Sequence, residues 1–529
     1  MGPSCVGRMK ARPFLTVVLA IVVSLVALAA GGWWWVLAHS PLQLQHQRLA
    51  MPLAARFVPR QAPLSLYVFS DGRQLEDYAR AVAPSRQRRQ AADAVARLRD
   101  GAFAAAGLDY RSELATWLAP ETGLALLADH PGGMPNGWLL SLRSRDSEGA
   151  RRFLQRFWQT RSLAGTDLQV TSYRGMGLIS GRGALVGEPS VPLATALIND
   201  DLVLIASGRG VLEQALDVSQ IDDLNQAGSP ALQASLAQIG AGVALITARP
   251  EALARWQALP PGLTSVVAAL RPDAAGLRLD ARFGLGEPLT LPPAAADTAL
   301  LQGLHTDADS LALIQAPGAW PQALQPLLLQ ALTSASSAMP ALVAAATNDG
   351  PLLWAQASGG WLLGTSADQP EPSALQPALQ GRGLVEAQLD LKGQPVQVWT
   401  RLQAAAARTK GASAAAGQLQ ASLDGAHTVA NGSTPVWWAQ SLALLEQQLT
   451  QRQGPRQRLA DLDALPAPAA LLRWTMAQAP ARQLLQQWQP WQLLTGLAAQ
   501  PLVGAVDGLT LALEPSAEQL HLSAQLRFD

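Results

Sequence analysis

The stretch LRPDAAGLRLDARF, residues 270–283, reads as a β-hairpin: apolar and polar residues alternate with period two on both sides of a proline-and-glycine turn. It decides the fold because the chain carries it twice. LEPSAEQLHLSAQL at 513–526 has the same pattern, and matching Pro272 with Pro515 gives an offset of 243. Two further segments recur in the same order. LSLYVF at 64–69 corresponds to LALIQA at 311–316, and DLVLIASGRGVLEQAL from Asp201 corresponds to TPVWWAQSLALLEQQL from Thr434. Offsets of 247 and 233 differ from 243 by loop-sized amounts, so two copies of a unit of about 220 residues are expected.

Within each copy the periodicity changes from two to 3.6 and back. In the first, a strand at 64–69 leads through Ser70-Asp71-Gly72 into an amphipathic helix, GRQLEDYARAV, and a second helix at 86–105. Strands follow at 122–127 and 138–142, a helix at 146–161, strands at 168–173 and 176–180, and a hairpin around Asn199-Asp200 before a helix at 211–218. The second copy repeats the plan from 311. The fold class expected is therefore α+β: a single N-terminal transmembrane helix followed by two similar units, 63–286 and 300–529, each an antiparallel sheet with helices packed on one face.

The transmembrane expectation rests on residues 14–37, FLTVVLAIVVSLVALAAGGWWWVL, which carry no charge. At about 1.5 Å per residue they suffice for a hydrocarbon core about 30 Å thick. Arg8, Lys10 and Arg12 precede the run, and Trp33, Trp34 and Trp35 stand near its far end. The positive-inside rule then makes 1–13 a cytoplasmic tail and 38–62 a tether, with the bulk on the far side of an inner or thylakoid membrane, in periplasm or lumen. The membrane is thus one expected partner. A cleaved signal peptide ending near Ala29 or Ala30 is the alternative, but its apolar core would usually be shorter.

Composition narrows the function. The tail takes three of the 39 basic residues and none of the 39 acidic ones, which leaves the rest at a net charge of −3. That balance gives no basic footprint for nucleic acid. Cys5 is the one cysteine, so the remainder can form neither disulfides nor thiolate metal sites. Apolar residues make up 49% and charged residues 15%, a profile that buries large cores and is unlike that of a disordered chain.

Motifs for chemistry are sparse. His39, His46, His130, His305, His427 and His521 are scattered, and neither HExxH nor Gly-x-Ser-x-Gly occurs. Asp307 and Asp309 flank a turn, and Gly208-Arg209-Gly210 opens a helix without a phosphate-loop pattern. No catalytic, cofactor-binding or metal-binding residue is therefore named, and no cofactor is expected. The aromatic content is skewed, with 16 Trp against four Tyr, and Trp437, Trp438, Trp488 and Trp491 in the second copy are the candidate binding aromatics. Burial between domains is the plainer reading of the same rings.

The opening strand at 64–69, Tyr173-Arg174-Gly175 ahead of paired strands, and DLVLIASGRGVLEQAL resemble a family of cyanobacterial membrane-anchored proteins with a domain of unknown function of the 3352 series. The resemblance implies an N-terminal anchor and a large extracytoplasmic region. It brings no catalytic residues.

Two functions compete. One is a non-enzymatic, membrane-anchored extracytoplasmic protein that binds a protein, lipid or envelope component; an apolar groove lined by the tryptophans would mark it. The other is an extracytoplasmic hydrolase with its site in the cleft between the two units. Asp, Glu, His or Ser at hydrogen-bond distance would mark that one.

Overall fold

The computed structural model describes residues 40–128, 133, 135–161, 168–184, 190–254, 259–273, 276–289, 298–332, 339–366, 370–404, 419–428, 435–451, 454–465, 467–497, 502–516 and 518–528. The first half contains strands β1 (Leu64–Val68), β2 (Leu118–Leu127), β3 (Gly137–Ser144), β4 (Gln169–Tyr173), β5 (Met176–Ala184), β6 (Ser190–Ile198), β7 (Leu202–Ala206), β8 (Ala244–Ala248), β9 (Leu263–Asp273) and β10 (Gly276–Leu285). The second contains β11 (Ser310–Gln315), β12 (Pro351–Ala357), β13 (Gly360–Thr365), β14 (Val385–Leu391), β15 (Gln394–Ala404), β16 (Leu419–Thr428), β17 (Val436–Ala439), β18 (Leu472–Ala477), β19 (Val506–Pro515) and β20 (Gln519–Phe528).

Counting outward from β10, the first half pairs in the order β10-β9-β8-β1-β2-β3-β7-β6-β5-β4, every pair antiparallel. Counting outward from β20, the second half runs β20-β19-β18-β11-β12-β13-β17-β16-β15-β14. Each number is ten higher than its counterpart.

Three parts of the expected fold class are corrected. First, the sheet is continuous: β10 pairs with β20 from Gly276↔Arg527 to Gly284↔Gln519, so the two halves share one sheet. Both hairpins otherwise end in an open row of backbone donors and acceptors, and pairing them closes both edges at once.

Second, helices cover both faces of the sheet. In β7 every residue is buried, with Leu202, Leu204 and Ala206 in one core and Val203 and Ile205 in another. A strand apolar at both parities needs cover on both sides. The relevant helices are α1 (Gly72–Val82), α2 (Arg88–Ala105), α3 (Ser147–Arg161), α4 (Arg209–Val218) and α5 (Pro230–Ile239) in the first half. In the second they are α6 (Gln325–Leu332), α7 (Met339–Ala346), α8 (Pro372–Gln380), α9 (Leu442–Thr450), α10 (Arg456–Asp463), α11 (Gln478–Gln487) and α12 (Gln489–Leu497). Phe153, Leu154 and Phe157 of α3 pack on one face, while Leu212 and Leu216 of α4 pack on the other. Leu375 and Leu379 of α8 and Leu444 and Leu445 of α9 divide the second half in the same way.

Third, the helix expected to span a membrane at 14–37 falls outside the described residues. Among the described residues no helix is long and apolar enough to cross a membrane. The tail at 1–13 and most of the alanine-rich stretch near 404–420 also fall outside them. The molecule described is α+β, with a large antiparallel sheet and helices.

Local structure follows local chemistry. Asp71 caps α1 and Gln74 closes the box from the other side. Ser441 caps α9 through the Leu444 amide. Asn199-Asp200 and Arg174-Gly175 all have positive φ; Arg174-Gly175 is a two-residue hairpin turn, and Asn199-Asp200 begins a three-residue connection from Ile198 to Leu202.

Candidate functional site at the seam between the halves

The four central strands, β9, β10, β20 and β19, present opposite faces of different character. On one side Leu277 and Leu526 join Leu485 of α11 and Trp491 of α12 in an apolar cluster, and α12 also meets α2 of the first half. Period two turns the intervening residues to the other side: Arg278, Asp280 and Arg282 from β10, and His521, Ser523, Gln525 and Arg527 from β20. Register then places Asp280 opposite Ser523, Arg282 opposite His521 and Arg278 opposite Gln525. Arg271 of β9 lies beside Arg278, and Glu514 of β19 lies beside His521.

Hydrogen bonds connect this strip across the seam. The Ser523 hydroxyl donates to Asp280 Oδ1 at 3.2 Å, and its oxygen is 3.3 Å from His521 Nε2. His521 Nε2 is 3.5 Å from Asp280 Oδ1, and His521 Nδ1 faces Glu514 Oε2 at 3.6 Å. Gln525 donates to Asp273 Oδ2 at 3.2 Å, which Arg278 also approaches at 3.6 Å. Among the described residues the buried Nε atoms of Arg278 and Arg282 have no hydrogen-bond partner. Arg527 pairs with Asp461 of α10, which Arg458 also contacts at 3.0 Å.

The strip is half-buried, with the Asp280 side chain 22% and the His521 side chain 25% exposed. Its margins are apolar. Ala512 sits against Leu465, Ala467 and Ala470, while Ala269 and Leu49 both lie against Gly242. Burial pushes the Asp280 carboxyl up, but hydrogen bonding and charge from His521, the charge of Arg271 and the Ser523 hydroxyl outweigh it. Its titration is net lowered from the ordinary carboxylate value.

The predicted aromatics do not converge here. Trp437 and Trp438 occupy opposite faces of β17. Trp437 is buried with Leu300 and Leu304, while Trp438 stacks on Trp399 at 5.7 Å and donates to Thr365 at 3.4 Å. Trp491 is buried against Met476 and Leu485, and Trp488, 36% exposed, stands at the corner between α11 and α12. Gly208 precedes α4 with Arg209 engaged by Glu213, and Asp307 accepts from the Ala308 amide. Among the described residues no group of three or more His, Cys, Asp or Glu is arranged to hold a metal ion.

Arg271, Arg278, Asp280, Arg282, Glu514, His521 and Ser523 were not singled out from sequence. Their signal lay inside the two hairpins already recognised as similar, where alternate polar positions share one face. What no linear pattern contains is that the hairpins pair with each other.

The sequence matches a family model described as a protein of unknown function, DUF3352, over residues 18–320. The chain belongs to the DUF3352 family. In this DUF3352 protein the matched segment ends just after β11, so the seam joins β10 inside the match to β20 beyond it. No curated protein matches the sequence. Crystal forms III and I of TP0453 are similar at 11% and 10% identity, covering 46% of this chain and 82% and 81% of theirs, with TM-scores of 0.27 and 0.28. Scores of that size carry no argument about ligand or activity.

Proposed function

We propose that this DUF3352 protein is a non-enzymatic, extracytoplasmic binding protein that receives an anionic group of an envelope component on the seam between its halves. One observation carries the reading: Arg271, Arg278 and Arg282 lie on one strip with His521, Arg282 opposite His521 and Arg271 opposite Arg278, and among the described residues the buried Nε donors of Arg278 and Arg282 have no acceptor. Guanidinium groups suit carboxylate and phosphate because their forked donors match both oxygens. The lack of cysteine beyond Cys5 supports an oxidising compartment, and the repeated strand order supports two copies of one unit. A cyanobacterial source belongs to the same proposal and rests on the resemblance of the opening strand and the Tyr173 turn.

Isothermal titration of the full chain with inorganic phosphate tests it. Saturable binding is expected, weakened about tenfold or more by Arg278→Ala or Arg282→Ala. A wild-type protein that gives no saturable heat, or variants that bind equally well, would sink the reading.

The hydrolase reading draws on one specific feature, the approach of Ser523 Oγ to His521 Nε2 with Glu514 beyond. Against it, the Ser523 hydroxyl donates a hydrogen bond to Asp280 Oδ1. β20 is also paired on both sides, so its ladder consumes the backbone amides that an oxyanion would need. Labelling by a fluorophosphonate probe that disappears in Ser523→Ala would favour a hydrolase. Absence of labelling would remove it.

A further inference from the structure

The sheet ends at β4 in the first half and at β14 in the second, and the two ends are built differently. Among the described residues β4 pairs only with β5 and β14 only with β15. β4, Gln-Val-Thr-Ser-Tyr, contains no charge and no proline, the usual protections of an open edge. Val170 is 75% exposed, and it borders an apolar groove of about 320 Å³ formed with Leu154, Trp158, Leu168 and Ile179.

Which backbone groups face outward follows from the adjoining turn. Arg174-Gly175 is a two-residue connection, so Tyr173 and Met176 close it as a hydrogen-bonded pair. Alternation makes Thr171 and Leu178 the next such pair and leaves Val170 and Ser172 with N–H and C=O directed to the open edge. Thr171 Oγ1, at the centre of the strand, is buried and has no hydrogen-bond partner among the described residues.

We infer that β4 pairs antiparallel with β4 of a second copy, about a two-fold axis through Thr171. In that register Val170 of each copy exchanges both backbone bonds with the other copy's Ser172. The two Thr171 side chains then face each other at the close spacing of a non-hydrogen-bonded pair, where one hydroxyl donates to the other. The chain already joins its own halves in this manner, pairing equivalent strands β10 and β20 edge to edge, and the new contact continues the same sheet. The other edge is guarded: the outward-directed positions of β14 include Glu386 and Asp390, charges that disfavour addition of a strand. One open edge and one guarded edge give a closed dimer.

Sedimentation velocity of the full chain should show a dimer that Val170→Lys converts to monomer; Val170 is exposed enough for the variant to fold, which circular dichroism checks. In a Cys5→Ser background, mild oxidation should cross-link Thr171→Cys and leave Gln169→Cys, which faces Tyr173 of the other copy, largely uncross-linked. A monomeric wild type, a dimer indifferent to Val170→Lys, equal cross-linking at both positions, or association that grows past two copies would each overturn the inference.

Discussion

Asp280 and Ser523 stand directly opposite each other across the seam, and they occupy equivalent positions of the two halves, 243 residues apart. Their neighbours obey the same exchange: Leu279 faces Ala524, and Ala281 faces Leu522. A local two-fold axis therefore passes between Asp280 and Ser523, and the chain is organised like a symmetric dimer whose subunits are covalently joined. The two positions on the axis carry different residues, a hydrogen-bond donor and its acceptor. That is a freedom two identical subunits would lack.

Ser523→Ala removes the hydroxyl that bridges the axis while leaving backbone pairing intact. A loss of about 0.5–1.5 kcal/mol is expected, the usual net value of one such bond. Denaturant unfolding checks it, and an unchanged midpoint would mean that the bond contributes nothing to joining the halves.

Acid stability should depend on Asp280. Its carboxyl titrates lower in the folded chain than an ordinary unfolded carboxylate, because His521, Arg271 and Ser523 together exceed the opposing effect of burial. A depressed folded-state value adds stability that is present above the unfolded value, about 3.9, and is lost as pH falls through the folded value. Denaturant midpoints taken from about pH 5 to about pH 2 should thus fall less steeply in Asp280→Asn than in the wild type. Parallel curves would contradict the assignment.

Two of the tryptophans should respond in opposite ways. Trp438 is fully buried and stacked, so Trp438→Ala is expected to cost about 3–5 kcal/mol. Trp488 is partly exposed at a helix corner, and Trp488→Ala should stay within about 0.5 kcal/mol. Thermal unfolding of both variants separates a core role from a surface role.

Gly276 opens β10 with φ near +154°, and a Cβ there would overlap the Leu526 carbonyl oxygen across the seam. Gly276→Ala should therefore destabilise by more than about 1 kcal/mol. Hydrogen exchange should accelerate first in β10 and β20. Faster exchange confined to some other strand would show that the glycine serves a different purpose.

Much of the secondary structure was legible because it depends on neighbours in sequence. The helix over 72–82 matches α1 residue for residue, since its cap, its box and its apolar stripe all lie within a dozen positions. The hairpin at Asn199-Asp200 was legible for the same reason, as the turn residues determine the register. Helix placement on a single face was misjudged. The run LVLIA in β7 is apolar at both parities, and that is the linear trace of two-sided burial. Trp437 and Trp438 were grouped as candidate binding aromatics, yet consecutive residues of a strand point to opposite sides.

The amino-acid sequence alone determined the period of each element, the recurrence of its segments, the near-neutral charge and the scarcity of thiols, all properties of single residues and short spacings. Tertiary structure decided that β10 meets β20, and with that it decided where the arginines, His521, Asp280, Glu514 and Ser523 come together. The physical reason is that an open strand edge carries generic backbone donors and acceptors. Local pattern says that such an edge must be satisfied, but the partner, here a strand 243 residues away, is chosen by the folding of both halves.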